Sequence, residues 1–296
     1  MSNRSVDPKR YFESVGERKA SPEHGPVCLY LETTNRCNLL CTTCPRTYAE
    51  LEPPADMSWE LFTSIVEQTP ELKRAVLHGV GEPKSYRLIP GKDVFHRILR
   101  NVRAFCELQT REGHERPRVS AWLTGLRETI EQLPEFVRVA AETGVKEIYL
   151  QRLVFFEKDA IGLATPDQAL FEQLTREESV YLERATALAE TLGVTFNASG
   201  AASEPEMSLK RHDTGSPWSM CNRPWTLMYF TANGRALPCC IAPFSKRGYE
   251  NYTLGDATKH ALREIWIGPA YRDFRSRLLS DDPPSPCKNC GLRWSL

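Results

Sequence analysis

Apolar residues recur along this chain at two different periods, and the switches between them mark out its elements. Val27-Cys-Leu-Tyr-Leu-Glu-Thr33 is a run of strand-forming residues; Ala75-Val-Leu-His78, Val119-Ser-Ala-Trp-Leu123, Glu147-Ile-Tyr-Leu150 and Val194-Thr-Phe196 are shorter runs of the same kind. Between them the spacing lengthens to that of helices. Ser58 to Gln68 opens on a capping serine and carries apolar residues on one helical face. Further helical segments are expected at Val94 to Cys106, from Leu126, at Phe136 to Thr143 and at Arg176 to Leu192, the last two stopped by Gly144 and Gly193. A short helix is expected around Tyr11 to Val15.

Strands alternating with helices predict parallel βαβ units, arranged as an open or closed barrel or a doubly wound sheet. The order of the strands is not fixed by this pattern. The texture changes after about residue 200: Ser203 to Pro217 is rich in Ser, Glu, Pro and Gly, as a linker or long loop would be. Trp225 to Phe230 and Ala236 to Ile241 then flank Asn233-Gly234, a strong hairpin signal. A helix over His260 to Leu279 and a proline-rich tail complete the chain. The division expected is a polar extension over 1–26, an α/β domain over 27–205 and a small C-terminal domain over 206–296.

Composition narrows the functional classes. Basic and acidic residues balance at 38 each, so no excess of positive charge points to nucleic acid or to an anionic membrane. Met1 to Pro26 lacks the apolar core of a signal peptide, and no stretch is apolar enough to span a bilayer. A cytoplasmic protein is expected. Its ten cysteines are then the anomaly, because thiols in a reducing compartment serve metals or catalysis more often than disulfides. Cys28 and Cys106 stand alone and read as small buried hydrophobes.

Cys37-Asn-Leu-Leu-Cys41-Thr-Thr-Cys44 places three thiols in one short segment directly after the first strand. Three thiolates can hold an iron–sulfur cubane while leaving one iron open to an amine and a carboxylate. A zinc knuckle would want a fourth Cys or His, and the nearest histidines are His24 and His78. The Cys-x3-Cys-x2-Cys spacing at a strand end resembles the radical S-adenosylmethionine (SAM) superfamily, with Thr43 where many members carry an aromatic residue. Leu77-His-Gly79-Val-Gly81-Glu82-Pro83 is similar to that family's Gly-Gly-Glu-Pro motif, with Val80 between the glycines. The resemblance implies a partial (β/α)6 barrel, a 4Fe–4S cluster on Cys37, Cys41 and Cys44, and SAM cleaved to a 5′-deoxyadenosyl radical that abstracts a substrate hydrogen. It implies that Gly79, Gly81 and Glu82 hold the methionine amino group. Thr124 and Gln151, at later strand ends, are candidate SAM contacts, and Arg152 is a candidate substrate contact.

Four more cysteines, Cys221, Cys239, Cys287 and Cys290, form a second set: Cys-x12-Gly-x4-Cys across the hairpin, then Cys-x-x-Cys. Four thiolates so spaced suit either tetrahedral zinc or a 4Fe–4S cluster. Gly234-Arg-Ala-Leu-Pro-Cys239-Cys240, Leu254-Gly255, Ile265-Trp266 and the terminal pair resemble the SPASM/twitch group of radical SAM enzymes. The cysteines match the shorter twitch version, a β-hairpin-plus-helix domain with one auxiliary 4Fe–4S cluster. Cys240 is left over, either buried or a spare hydrogen-atom donor.

A fully ligated auxiliary cluster suits an electron relay. The layout is similar to the twitch-type radical SAM dehydrogenase of aminoglycoside pathways, and implies oxidation of a small natural-product or sugar-like molecule. An external electron donor such as flavodoxin or ferredoxin would be needed. The alternatives are a peptide-modifying maturase, forming crosslinks or epimerised residues, and a zinc-binding module without enzymatic activity. Only 26 residues precede the first strand, which favours a small molecule over a leader-bearing peptide.

Overall fold

The computed structural model describes residues 8–36, 52–78, 94–114, 118–153, 168, 170, 175–198, 218, 221–244, 252–288 and 290. In chain order the elements are α1 (Pro8–Glu17), β1 (Cys28–Glu32), α2 (Trp59–Glu67), β2 (Arg74–His78), α3 (Val94–Arg111), β3 (Ser120–Gly125) and α4 (Leu133–Glu142). Then come β4 (Glu147–Arg152), α5 (Arg176–Leu192), β5 (Thr195–Ala198), α6 (Arg223–Thr226), β6 (Leu227–Phe230) and β7 (Arg235–Leu237). The last are β8 (Gly255–Asp256), α7 (Leu262–Trp266), α8 (Pro269–Leu278) and α9 (Ser285–Lys288). Among the described residues, the expected α/β alternation is present and the C-terminal hairpin follows it.

The chain divides into two compact units that do not follow sequence order: 1–79 joins 156–163 and 213–292 in one, and 80–155 joins 164–212 and 293–296 in the other. The first unit holds a sheet ordered β2-β1-β6-β7-β8. Strand β1 pairs in parallel with β2 on one side and with β6 on the other, so the hairpin strand Leu227–Phe230 extends the N-terminal sheet directly. The alternation of β1 explains its two faces. Leu29 and Leu31 point to one side, where they join Met228 and Phe230 of β6, Ile65 of α2, Leu262, Ile265 and Trp266 of α7 and Tyr271 of α8. Tyr30 turns the other way, toward Tyr229, Leu237, Cys239 and Cys240. Both faces of β6 are therefore covered, as its uninterrupted apolar sequence requires.

The second unit holds the parallel sheet β3-β4-β5. Helices α4 and α5 cover one face, packing Phe136, Val137, Ala185 and Ala189 onto Leu123, Ile148 and Leu150. The residues between these positions face the other way, and Trp122 and Tyr149 stack there with ring centroids 4.3 Å apart. Helix α5 has the ends its sequence promises: Thr175 and Glu178 form a reciprocal cap, and Gly193 closes the helix at φ 64.

Three expectations change. No α-helix starts at Leu126; Leu126 to Thr129 is a turn, and the helix begins at Leu133, where Pro134 sits in the first turn and needs no N–H partner. The segment expected as one helix over His260 to Leu279 is two, because Gly268 leaves the helical conformation and Pro269 starts α8. Trp225 belongs to the helical turn α6, so the first hairpin strand starts two residues later at Leu227, and the second, expected as far as Ile241, ends at Leu237, just before Pro238.

Candidate metal centres

The first candidate centre lies where β1 and β2 end. These strands run parallel in the register Cys28↔Arg74 to Glu32↔His78, so both leave the sheet at one edge. In the sequence the three-cysteine segment follows β1, and Gly79, Gly81 and Glu82 follow β2. Cys37, Cys41, Cys44, Gly79, Gly81 and Glu82 themselves lie outside the described residues. The flanks of the cysteine segment are described, and they are fastened together. Asn35 is almost fully buried: its backbone N–H donates to Ala55 O (3.0 Å), its Nδ2 donates to Pro53 O (2.9 Å), and its Oδ1 accepts from Ala55 N (2.6 Å). Thr34 bridges Asp56, and Arg36 pairs with the same carboxylate at 3.2 Å.

The hairpin turn reaches this neck. Glu52, whose side chain is 3% exposed, forms an ion pair with Arg235 Nε at 3.0 Å. Asn233 Nδ2 donates to Glu52 Oε2 and to Pro53 O, each at 3.1 Å. Ala232 N donates to Glu32 Oε2 at 3.0 Å, so the last residue of β1 also holds the turn.

The second centre is fully described. Cys221, Cys239, Cys287 and Cys290 line a single pocket, walled by Trp218, Pro238, Ile241 and Phe274 and entered by Arg223. These are the four cysteines the sequence singles out, and none is in a disulfide. Burial pushes the Cys221 thiol up to about 11, while the Arg223 guanidinium and the Arg223 backbone N–H pull the other way. Burial also raises Cys239, opposed by Arg223 and by hydrogen bonds from the backbone N–H groups of Ile241 and Ala242. Cys287 is raised furthest, by burial and then by Cys239, Cys221 and Cys290.

These sulfurs therefore sit among N–H donors and a cation, while burial outweighs both and favours the neutral thiol. Among the described residues no group of three or more His, Cys, Asp or Glu is arranged to hold one metal ion. Four thiols lining one pocket are a donor set that an iron–sulfur cubane or a tetrahedral zinc can take. The all-sulfur donor set fits an iron–sulfur cluster.

Cys240 is not part of this set. It packs beside Tyr30, to which it is hydrogen-bonded, and burial raises its thiol to about 12. Cys28 and Cys106 are half-buried, and Cys106 lies against Gly144. In the second unit Thr124 faces Gln151 across β3 and β4, and Gly125 faces Arg152. Thr124 is exposed and Gln151 half-buried, both at the C-terminal edge of a parallel sheet, where α/β proteins place their sites. Sequence reasoning missed Arg223, Asn35 and Glu52. Arg223 follows Cys221 by two residues, which was the available signal; Asn35 and Glu52 carry none, since their partners come from elsewhere in the chain.

The family model for SPASM, an iron–sulfur cluster-binding domain, matches residues 221–291 and so contains all four cysteines. Over 58 residues the chain is 47% identical to the tungsten-containing aldehyde ferredoxin oxidoreductase cofactor-modifying protein of Pyrococcus furiosus. That stretch is 19% of this chain and spans 16% of the relative's length. The fold is similar to that of SuiB from Streptococcus suis, with a TM-score of 0.50 and 14% identity over 97% of this chain and 75% of that one. BtrN, solved in complex with AdoMet and 2-DOIA, aligns over 90% of this chain and 93% of its own with a TM-score of 0.45 and 18% identity. No described helix is long and apolar enough to cross a membrane.

Proposed function

We propose that this chain is a two-cluster radical SAM oxidoreductase that dehydrogenates a small natural-product or sugar-like molecule. The observation that carries this reading is the meeting of Cys221, Cys239, Cys287 and Cys290 at one pocket inside the cluster-binding domain. When bound, SAM and its cluster supply a 5′-deoxyadenosyl radical able to remove a substrate hydrogen. The chain's own part is to hold and orient. Cys37, Cys41 and Cys44 would ligate the cluster at the end of β1, and Gly79, Gly81 and Glu82 would take the methionine amino group at the end of β2. Thr124 and Gln151, paired at the edge of the second sheet, would contact SAM. Arg152, the last residue of β4, would hold a substrate hydroxyl or carboxylate. The four C-terminal cysteines would leave their cluster no open iron, which suits it to accepting an electron. An external donor of the flavodoxin or ferredoxin kind would feed the N-terminal cluster.

The test is anaerobic purification followed by iron analysis and reduction in the presence of SAM. The expected result is about eight irons per chain, falling to about four when Cys37, Cys41 and Cys44 are all replaced by Ala, with release of 5′-deoxyadenosine only from the unaltered chain. A colourless protein with stoichiometric zinc would overturn the reading. Arg152→Ala should leave SAM cleavage intact and lower product at least tenfold; unchanged turnover would remove Arg152 from the site.

A second reading, epimerisation of a peptide or sugar centre, draws on Cys240, a thiol outside the cluster set that rests against Tyr30. It predicts solvent deuterium in the product and loss of that label in Cys240→Ala. A two-electron oxidised product without label supports dehydrogenation.

A further inference from the structure

Arg223 is unexplained by ligation or by packing. It opens the short helix α6, half-buried, and its side chain enters the pocket that the four cysteines line. It shares that lining with Cys221, Cys239, Cys287 and Cys290, so its guanidinium belongs to the walls of the same pocket as the four sulfurs. A cation partly withdrawn from water is unfavourable unless compensated. Four neutral thiols would give it little in return. Four thiolates around an oxidised cubane make the site a dianion, and a guanidinium beside it is then paired. The backbone around it has the same bias, with the N–H groups of Arg223, Ile241 and Ala242 directed at the sulfurs of Cys221 and Cys239. A second cation, Arg18, lies nearby: its Nε donates to Asn222 Oδ1 at 2.9 Å, and its guanidinium stands 6.0 Å from the centre of the Trp225 ring.

We propose that Arg223 sets the reduction potential of the auxiliary cluster, holding it high enough for the cluster to serve as an electron acceptor. This rests on the reading that Cys221, Cys239, Cys287 and Cys290 hold a 4Fe–4S cluster. Reduction adds one electron and no proton, and turns the dianionic site into a trianion. In turnover the electron comes from the carbon-centred substrate radical, which becomes a carbonyl as its hydroxyl proton passes to a base. A fixed positive charge at the sulfurs favours the more negative state, so it moves the potential upward. Net charge and hydrogen bonding to sulfur are established levers on such potentials. Arg223 is not one of the proposed ligands, and its effect is exerted through the cluster.

The test uses the full chain with Cys37, Cys41 and Cys44 replaced by Ala, so that only the auxiliary site is read. Iron and sulfide are counted first, and the cluster is then titrated with dithionite under spectroscopic monitoring. A parent chain without iron would overturn the reading of the site itself, before any potential is measured. With the parent loaded, Arg223→Gln is expected to keep about four irons and to titrate at a clearly more negative potential. Arg223→Lys should restore most of the difference. Should Arg223→Gln fail to load while Arg223→Lys loads and titrates like the parent, the positive charge is again the feature required. The proposal is overturned if Arg223→Gln loads fully at an unchanged potential. It is equally overturned if neither variant loads, since the side chain would then serve assembly and not potential.

Discussion

Asn35 shows how much a single side chain can hold. Its amide satisfies Ala55 N and Pro53 O across the neck of the cysteine segment, with almost no surface left to water. Asn35→Ala leaves both backbone groups without that partner, at about 1–3 kcal/mol for each that stays buried. We expect a loss of roughly 2–4 kcal/mol in urea denaturation, together with reduced iron uptake at Cys37, Cys41 and Cys44. A change below about 0.5 kcal/mol would show that water replaces the amide. Arg275 plays the same part deeper in the unit: its Nε and Nη1 donate to Pro224 O, Ala20 O and Trp266 O, and its guanidinium lies 4.2 Å from the Trp266 ring centre. Burial lowers its pKa to about 10, which still leaves it charged at neutral pH. Arg275→Met should cost about 3 kcal/mol, read as a fall in Tm, because three carbonyls lose their donor, two of them in buried hydrogen bonds. The cysteines were legible in the sequence because their chemistry declares itself in spacing. Asn35, Glu52 and Arg275 were not, because what they do depends on partners that folding brings from far along the chain.

At the level of elements, periodicity carried most of the information. The strands came close to their observed limits, and α5 is bounded by Thr175 and Gly193 as its capping residues require. Failures fell where a proline or glycine competes with a helical pattern, at Pro134 and at Gly268-Pro269, and at the outer ends of the hairpin, whose strands are shorter than their apolar runs. Two glycines with similar backbones give a comparison within one protein. Gly193 closes α5 at φ 64 with open space around it, whereas Gly234 turns the hairpin at φ 83 with Thr258 and Leu61 pressed against it. A Cβ on Gly234 would lie 2.8 Å from Thr258 Cγ2. Gly193→Ala should therefore cost only the left-handed conformation, about 1 kcal/mol. Gly234→Ala adds the clash and should cost about 2–3 kcal/mol, in thermal unfolding of the two variants side by side. Equal losses would mean that the turn shifts to accommodate the methyl group.

In the whole molecule the least legible feature was the partnership of β1. The sequence suggested a domain over 27–205 followed by a separate one, but β1 pairs with β6, some two hundred residues later. Strand order across such a distance leaves no periodic trace. The N-terminal stretch, which read only as a polar extension, is tied into the same region: Lys19 O accepts from Trp225 Nε1, and His24 O from Trp266 Nε1. A chain ended before Cys221 would keep β1 and lose β6, exposing an unpaired edge beside Tyr30. We expect that truncation to be largely insoluble, and sedimentation of lysates against the full chain checks it. A truncated chain as soluble as the whole would show that β2 suffices. The same pairing orders events during synthesis. A ribosome releases the three-cysteine segment early, but the strand that carries it gains its second neighbour only when the last quarter has been translated. For most of that time the segment proposed above to take a cluster follows a strand with only one neighbour, so cluster insertion there is expected to follow translation and not accompany it.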